Sequence, residues 1–270
     1  MLSARRSVTR YDLAMIRSTS LLPLLLVFGC ASGAKDTIST GPVFGVMPQE
    51  LTAPTPQAHV EHWGAMKAVL RDGLTQGRVS LDEAVGPNTF AVGALEGLAA
   101  EITVVDGVIH LAEVIESGAG ISMRVRAPVE GEQATLLVTA QVDSWAEHLL
   151  PRVANLEELE TAVRDIALAE GIDVTLPFPF KVEGDSSQVH LHVLNHSCPI
   201  ANPDGPSPWT FEGVNEPVVL VGFYASDAGG VLTHHGQSSH VHAVVATQNV
   251  SGHLDSISLT GNARLFLPGS

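Results

Sequence analysis

The chain has little cysteine, few aromatic side chains and little positive charge. Its two cysteines, Cys30 and Cys198, are too few for a disulfide scaffold, and Cys198 alone makes a poor zinc site. Fourteen Lys and Arg stand against 29 Asp and Glu, for a formal net charge of −15. Such a chain lacks the basic face that a phosphate backbone requires, so no nucleic-acid partner is expected. Aromatics are 5% of the residues and charged residues 16%, while hydrophobic residues reach 45%. That balance belongs to a globular protein with a sizeable core. Val, Ala, Leu and Gly dominate, which favours β-rich, tightly turned structure. The length suits one large domain or two small ones.

A run long enough to span a bilayer is also missing. The apolar stretch Leu21 to Phe28 is short. Arg5, Arg6, Arg10 and Arg17 precede it, and Gly29, Cys30, Ala31 and Ser32 follow. A charged region, a short apolar region and small residues at the cut describe a secretory signal over residues 1–29. Val27-Phe28-Gly29-Cys30 resembles a bacterial lipobox, in which the cysteine is lipidated and becomes the first residue. The expectation is an exported protein that meets the membrane only through a lipid on Cys30. Translation from Met15 would shorten the leader without altering this. Residues 30–57, rich in Gly, Ser, Thr and Pro, read as a flexible tether.

The folded part is expected to begin near residue 58. Val60, Trp63, Met66, Val69 and Leu70 have helical spacing. Ser80 followed by Glu83 reads as a helix start. Residues 101–113, 121–128 and 134–142 read as strands around turns at Asp106-Gly107 and near Gly118 to Gly120. Asn155 is a plausible cap for a helix over 155–170. Further on, 178–182, 189–194, 217–224, 240–247 and 253–259 read as strands, with a Pro- and Gly-rich loop between Cys198 and Pro217. The fold class is therefore α+β with two β-rich halves. Residues 58–175 carry a mixed sheet with helices. Residues 176–270 form a mostly antiparallel half.

Eight of the twelve histidines fall between residues 190 and 253. His240 and His242 are two apart, so on a strand both rings share a face, with Val241 and Ala243 on the other. Residues 248–252 read as a hairpin loop that returns His253 beside them. Three neutral imidazoles on adjacent strands make a facial tripod that leaves coordination positions open, the pattern of a catalytic zinc site. Such tripods also occur in cupin-type barrels. His234 and His235, next to Gly236, are candidates for the rim of the site or for ordinary loop residues.

At this point the sequence resembles a family, the α-acetolactate decarboxylases. The match runs through Thr89-Phe-Ala-Val-Gly-Ala-Leu-Glu-Gly-Leu-Ala-Ala-Glu101-Ile-Thr and Val104-Val-Asp-Gly, then Phe178-Pro-Phe-Lys-Val-Glu-Gly184, then Pro217 to Tyr224. The spacing His240-x-His242…His253 completes it, in order, over most of residues 60–259. The resemblance implies a two-part β-rich fold, usually dimeric, with zinc in a cleft. It implies decarboxylation of 2-acetolactate, a 2-hydroxy-3-oxo acid, to acetoin. It gives His240, His242 and His253 the metal and Glu101 the role of active-site carboxylate.

Two positions depart from the family pattern. Where the family has an arginine after the mid-chain turn, this chain has His192, the candidate for orienting the substrate carboxylate. The family's second glutamate comes from its C-terminal tail, and no acidic residue follows Asp255 here. Two other readings therefore stay open: a zinc lyase or hydrolase acting on another small oxyacid, and a non-catalytic metal-binding surface lipoprotein.

Overall fold

The computed structural model describes residues 57–118 and 120–269. The signal, lipidation and tether readings lie outside these residues, apart from Gln57. The first sheet is built from β1 (Val60–Trp63), β2 (Val79–Ser80), β3 (Thr89–Leu95), β4 (Glu101–Val105), β5 (Val108–Ser117), β6 (Gly120–Arg126) and β7 (Gln133–Gln141). The second is built from β8 (Trp145–Leu149), β9 (Phe178–Val193), β10 (Trp209–Gly213), β11 (Glu216–Tyr224), β12 (Ser239–Val245), β13 (Val250–Leu259) and β14 (Arg264–Pro268). Two α-helices, α1 (Leu81–Ala84) and α2 (Leu156–Ala169), complete the expected α+β arrangement. Every pairing between these strands is antiparallel. Short turns rather than helical crossovers join most neighbours, which is what antiparallel pairing permits.

The second sheet closes on itself. β9 is 16 residues long and pairs with β11 along its first half and with β13 along its second. β11 pairs with β12, and β12 with β13, so the ring returns to β9. Phe178, Phe180, Val182, Leu191, Val241, Ala243, Val250 and Leu254 fill the inside with α2 packed against them through Leu159, Val163 and Ala167. The first sheet lies on the outer face of this ring. Phe90, Val92 and Val138 pack there against Val221 and Phe223. The opposite face of β3 and β4 buries Ala91, Ile102 and Val104 in a separate core. The passage between sheets falls at residues 142–144, so β8 and α2 belong with the ring although they precede the division expected at residue 175.

Local chemistry explains the elements. The Asn155 side chain accepts from Glu158 N at 2.9 Å and caps α2. Ser80 caps α1 in the same way, through Asp82 N at 3.2 Å. Asp106 and Gly107 both have positive φ, the two-residue turn that suits hairpin twist. The helix expected over 60–71 is not formed as such. Val60–Trp63 pairs with β7, and only Lys67–Arg71 coils, as a π-helical turn. Gly64 separates the two with φ +75°, and a Cβ there would lie 2.4 Å from the Thr135 carbonyl oxygen. The apolar spacing over 60–71 thus serves two short elements on either side of one glycine. The loop expected between Cys198 and Pro217 contains β10, which extends the edge of β9.

Candidate metal centre and cavity

The strand register builds the site on the outer face of the ring. His242 lies directly opposite His253, and His253 opposite His192. Val241 and Ala243 face the interior, as alternation requires. The turn between β12 and β13 is shorter than the sequence suggested. Ala246–Gln248 makes a 3-10 turn, Asn249 is left-handed, and Val250 to Gly252 already pair. His253 is therefore well inside β13 rather than at its start. Gly252 makes this possible, because a Cβ there would lie 2.5 Å from the His192 carbonyl oxygen. Gly252→Ala should push β13 off β9 and destabilise the fold by about 1–3 kcal/mol. A fall in Tm of roughly 2–4 °C per kcal/mol in thermal unfolding checks this. An unchanged Tm would mean that the strands tolerate the methyl group.

The rings of His240, His242 and His253 sit 5.1 to 5.4 Å apart, centroid to centroid. Their candidate ligand nitrogens all lie within 4.8 Å of one another. Exposure is 3% for His240, 0% for His242 and 8% for His253, so these are buried polar rings that demand partners. His240 Nδ1 and His242 Nε2 have none among the described residues. Burial pushes all three pKa values well below the ordinary histidine value, and neighbouring histidines add to the effect. Three neutral imidazoles with ring nitrogens this close together, two of them unpartnered, are a donor set that fits a metal ion. His242 Nδ1 lies 3.0 Å from Thr103 Oγ1, which accepts a hydrogen bond from Ser251 Oγ at 3.0 Å. A donor bond from Nδ1 fixes the ring and leaves Nε2 free for a cation.

Glu101 begins β4 on the face that meets the ring, two residues before Thr103. It is 4% exposed, accepts from Leu194 N at 3.3 Å, and lies 3.8 Å from His242 Nε2. Burial pushes its pKa up to about 7, against the lowering influence of His192 and the Leu194 amide. His192 Nδ1 is 2.7 Å from Asp255 Oδ1, and His190 Nδ1 is 3.3 Å from Asp255 Oδ2. Burial lowers the His192 pKa, but the hydrogen bond to Asp255 and the charges of Glu101 and Asp255 outweigh it, and the net shift is upward. His190 and His192 share a strand face, and of the two it is His192 that lines the cavity. His234 also lines it, its ring 5.0 Å from that of His253. Glu101, His192, His234 and Asp255, with His240 and His253, are the polar lining of a cavity of about 330 Å³.

No family model and no curated protein sequence matches the chain. Solved structures do. An α-acetolactate decarboxylase from Bacillus subtilis strain 168 superposes with TM-score 0.58 at 17% identity, over 78% of this chain and 86% of that one. An acetolactate decarboxylase from Bacillus subtilis subspecies spizizenii gives 0.59 at 18%, with the same coverage. A Staphylococcus aureus protein of unknown function, described as similar to α-acetolactate decarboxylase, gives 0.60 at 12%, over 77% and 84%. The chain has the acetolactate decarboxylase fold.

Within that fold the structure brings together all five residues singled out from the sequence: Glu101, His192, His240, His242 and His253. Three participants were missed. Asp255, two residues past His253, holds both His190 and His192 from a β-bulge between Leu254 and Ser256. Thr103 and Ser251 orient His242. Strand alternation carried a signal for each, since Thr103 follows Glu101 by two positions and Ser251 and Asp255 flank His253 by two. A further support is Glu160 of α2, which accepts from Ser238 N at 3.0 Å and Ser239 Oγ at 2.7 Å and so anchors the entry to β12.

Proposed function

We propose that this chain is a zinc-dependent carbon–carbon lyase that decarboxylates 2-acetolactate to acetoin. The observation that carries the proposal is the buried triad His240, His242 and His253, with unpartnered nitrogens on His240 and His242, beside Glu101 on an acetolactate decarboxylase fold. Zinc held by the three histidines would polarise the ketone and hydroxyl oxygens of the substrate and stabilise negative charge that develops there. The remaining steps belong to side chains. His192, cationic and held by Asp255, orients the carboxylate. The bond from that carboxylate to C2 breaks, carbon dioxide leaves, and its electron pair stays on C2, delocalised into the ketone. Glu101 in its protonated form gives a proton to C2 and is reprotonated from solvent. Met66, Leu136 and Leu194 line the same cavity and exclude water, which favours loss of the charged carboxylate.

A second reading, a lyase for another small oxyacid, is favoured by the His192–Asp255 pair where the family pattern has an arginine. Asp255 also places a carboxylate at the cavity that does not come from the tail. The third reading, a structural metal, has less support. A structural zinc takes four protein ligands, and the group among the described residues has three. Protein purified without chelator is expected to carry about one zinc per chain. Removing it should abolish acetoin formation from acetolactate, and zinc should restore it. Elemental analysis finding no transition metal would overturn the metal proposal. A zinc-loaded protein that forms no acetoin would leave the second reading.

A further inference from the structure

We propose that the cavity selects an oxyacid carrying an apolar chain or ring of about four to six carbons, larger than the methyl groups of acetolactate. This rests on the lyase reading only for the placement of the polar head at the histidines. Two kinds of side chain line the cavity. Glu101, His192, His234, His240, His253 and Asp255 supply its polar part. Met66, Leu70, Ala94, Leu136, Leu194 and Cys198 also line it and pack together as one apolar cluster. Four separate parts of the chain supply this apolar wall: the segment around the π-helical turn, β3, β7, and the end of β9 with the loop that follows it.

Acetolactate directs its carboxylate, hydroxyl and ketone at the polar part. It has two methyl groups left for six apolar side chains. Apolar walls left facing water or empty space forgo both burial and dispersion contacts, whereas an apolar ligand restores them. Ile200, 68% exposed, stands at the outer part of the same wall, where a bound chain would cover it. A second chamber of about 240 Å³ shares Met66, Leu70, Ile200 and His234 with the first, and Lys67 and Arg71 also line it.

The test uses ligands that bind without reacting. 2-Hydroxy acids lack the ketone, so lactate, 2-hydroxybutyrate, 2-hydroxyhexanoate and 2-hydroxyoctanoate can be titrated calorimetrically into the zinc-loaded protein. Kd is expected to fall about fourfold per added methylene up to 2-hydroxyhexanoate, whose chain beyond C2 has four carbons, and to level off by 2-hydroxyoctanoate, whose chain has six. Leu70→Asn and Ile200→Ser, neither a candidate metal ligand, should each flatten the series while leaving lactate affinity unchanged. A Kd independent of chain length overturns the inference. So does a chain-length dependence that both variants leave intact, because it places the chain elsewhere. These outcomes separate from the fate of the lyase reading. Acetolactate turnover with a flat Kd series sinks the chamber inference alone. A steep series, with no decarboxylation of any 2-hydroxy-3-oxo acid, sinks the lyase reading alone.

Discussion

Glu101→Gln is expected to lower acetolactate turnover by about a hundredfold or more while the fold and the bound zinc persist, the usual scale for losing a general acid. The geometry supports the role. Glu101 is buried where β4 meets the ring, one oxygen fixed by the Leu194 amide and the other 3.8 Å from His242 Nε2. Burial raises its pKa to about 7, so near neutral pH a substantial share of the carboxyl carries the proton that C2 needs. A cation on the histidines draws that value down again, which is why the decisive readout is turnover rather than the position of a pH limb. Glutamine keeps the shape and the bond from Leu194 N but has no acidic proton to give. Tm and zinc content serve as controls. Unchanged turnover in a folded, zinc-loaded variant would make Glu101 a structural acceptor for Leu194 and nothing more.

Much of this arrangement is legible in the sequence because strand alternation is short-ranged. His240 and His242 share a face whatever surrounds them, and Val241 and Ala243 then point into a core. Asn155 names a helix start by its own capping bond. Long-range pairing is not legible in that way. Nothing local says that β9 runs unbroken for 16 residues, closes a ring with β11, and so brings His192 opposite His253. Nor does apolar spacing over 60–71 distinguish a helix from a strand and a turn, since the choice depends on β7 offering an edge to Val60–Trp63. Asp255 was missed for a related reason: alternation puts it on the face of His253, but only the pairing of β13 with β9 puts it beside His190 and His192. Glu101 was found by resemblance, whereas its burial and its contact with Leu194 come only from packing the first sheet on the ring.

The missing arginine gives the most discriminating experiment. If His192 holds the substrate carboxylate, His192→Ala should cost about a hundredfold in kcat/KM, the scale of a misplaced reacting group. His192→Arg should retain activity and change its pH dependence. The sign follows from the upward shift of the His192 pKa: the ring is cationic below that raised value and loses its charge as pH rises through it. Carboxylate binding by the wild-type protein must therefore weaken toward high pH. An arginine stays charged throughout and can grip a carboxylate, or Asp255, with two parallel bonds, so its profile should be flat on that side. Asp255→Asn removes the group that supports the imidazolium, 2.7 Å from Nδ1, so the falling limb should move to lower pH. A cation held by the three histidines would act on His192 in the wild type and in Asp255→Asn alike, so comparing the two isolates the contribution of Asp255. Where the contact is equal in ground and transition states, the change sits in KM. Measuring kcat/KM for all four proteins across neutral pH decides the matter. If His192→Arg brings no gain above neutral pH and acetolactate turnover stays negligible throughout, residue 192 does not hold this carboxylate, and the His192–Asp255 pair serves a different oxyacid.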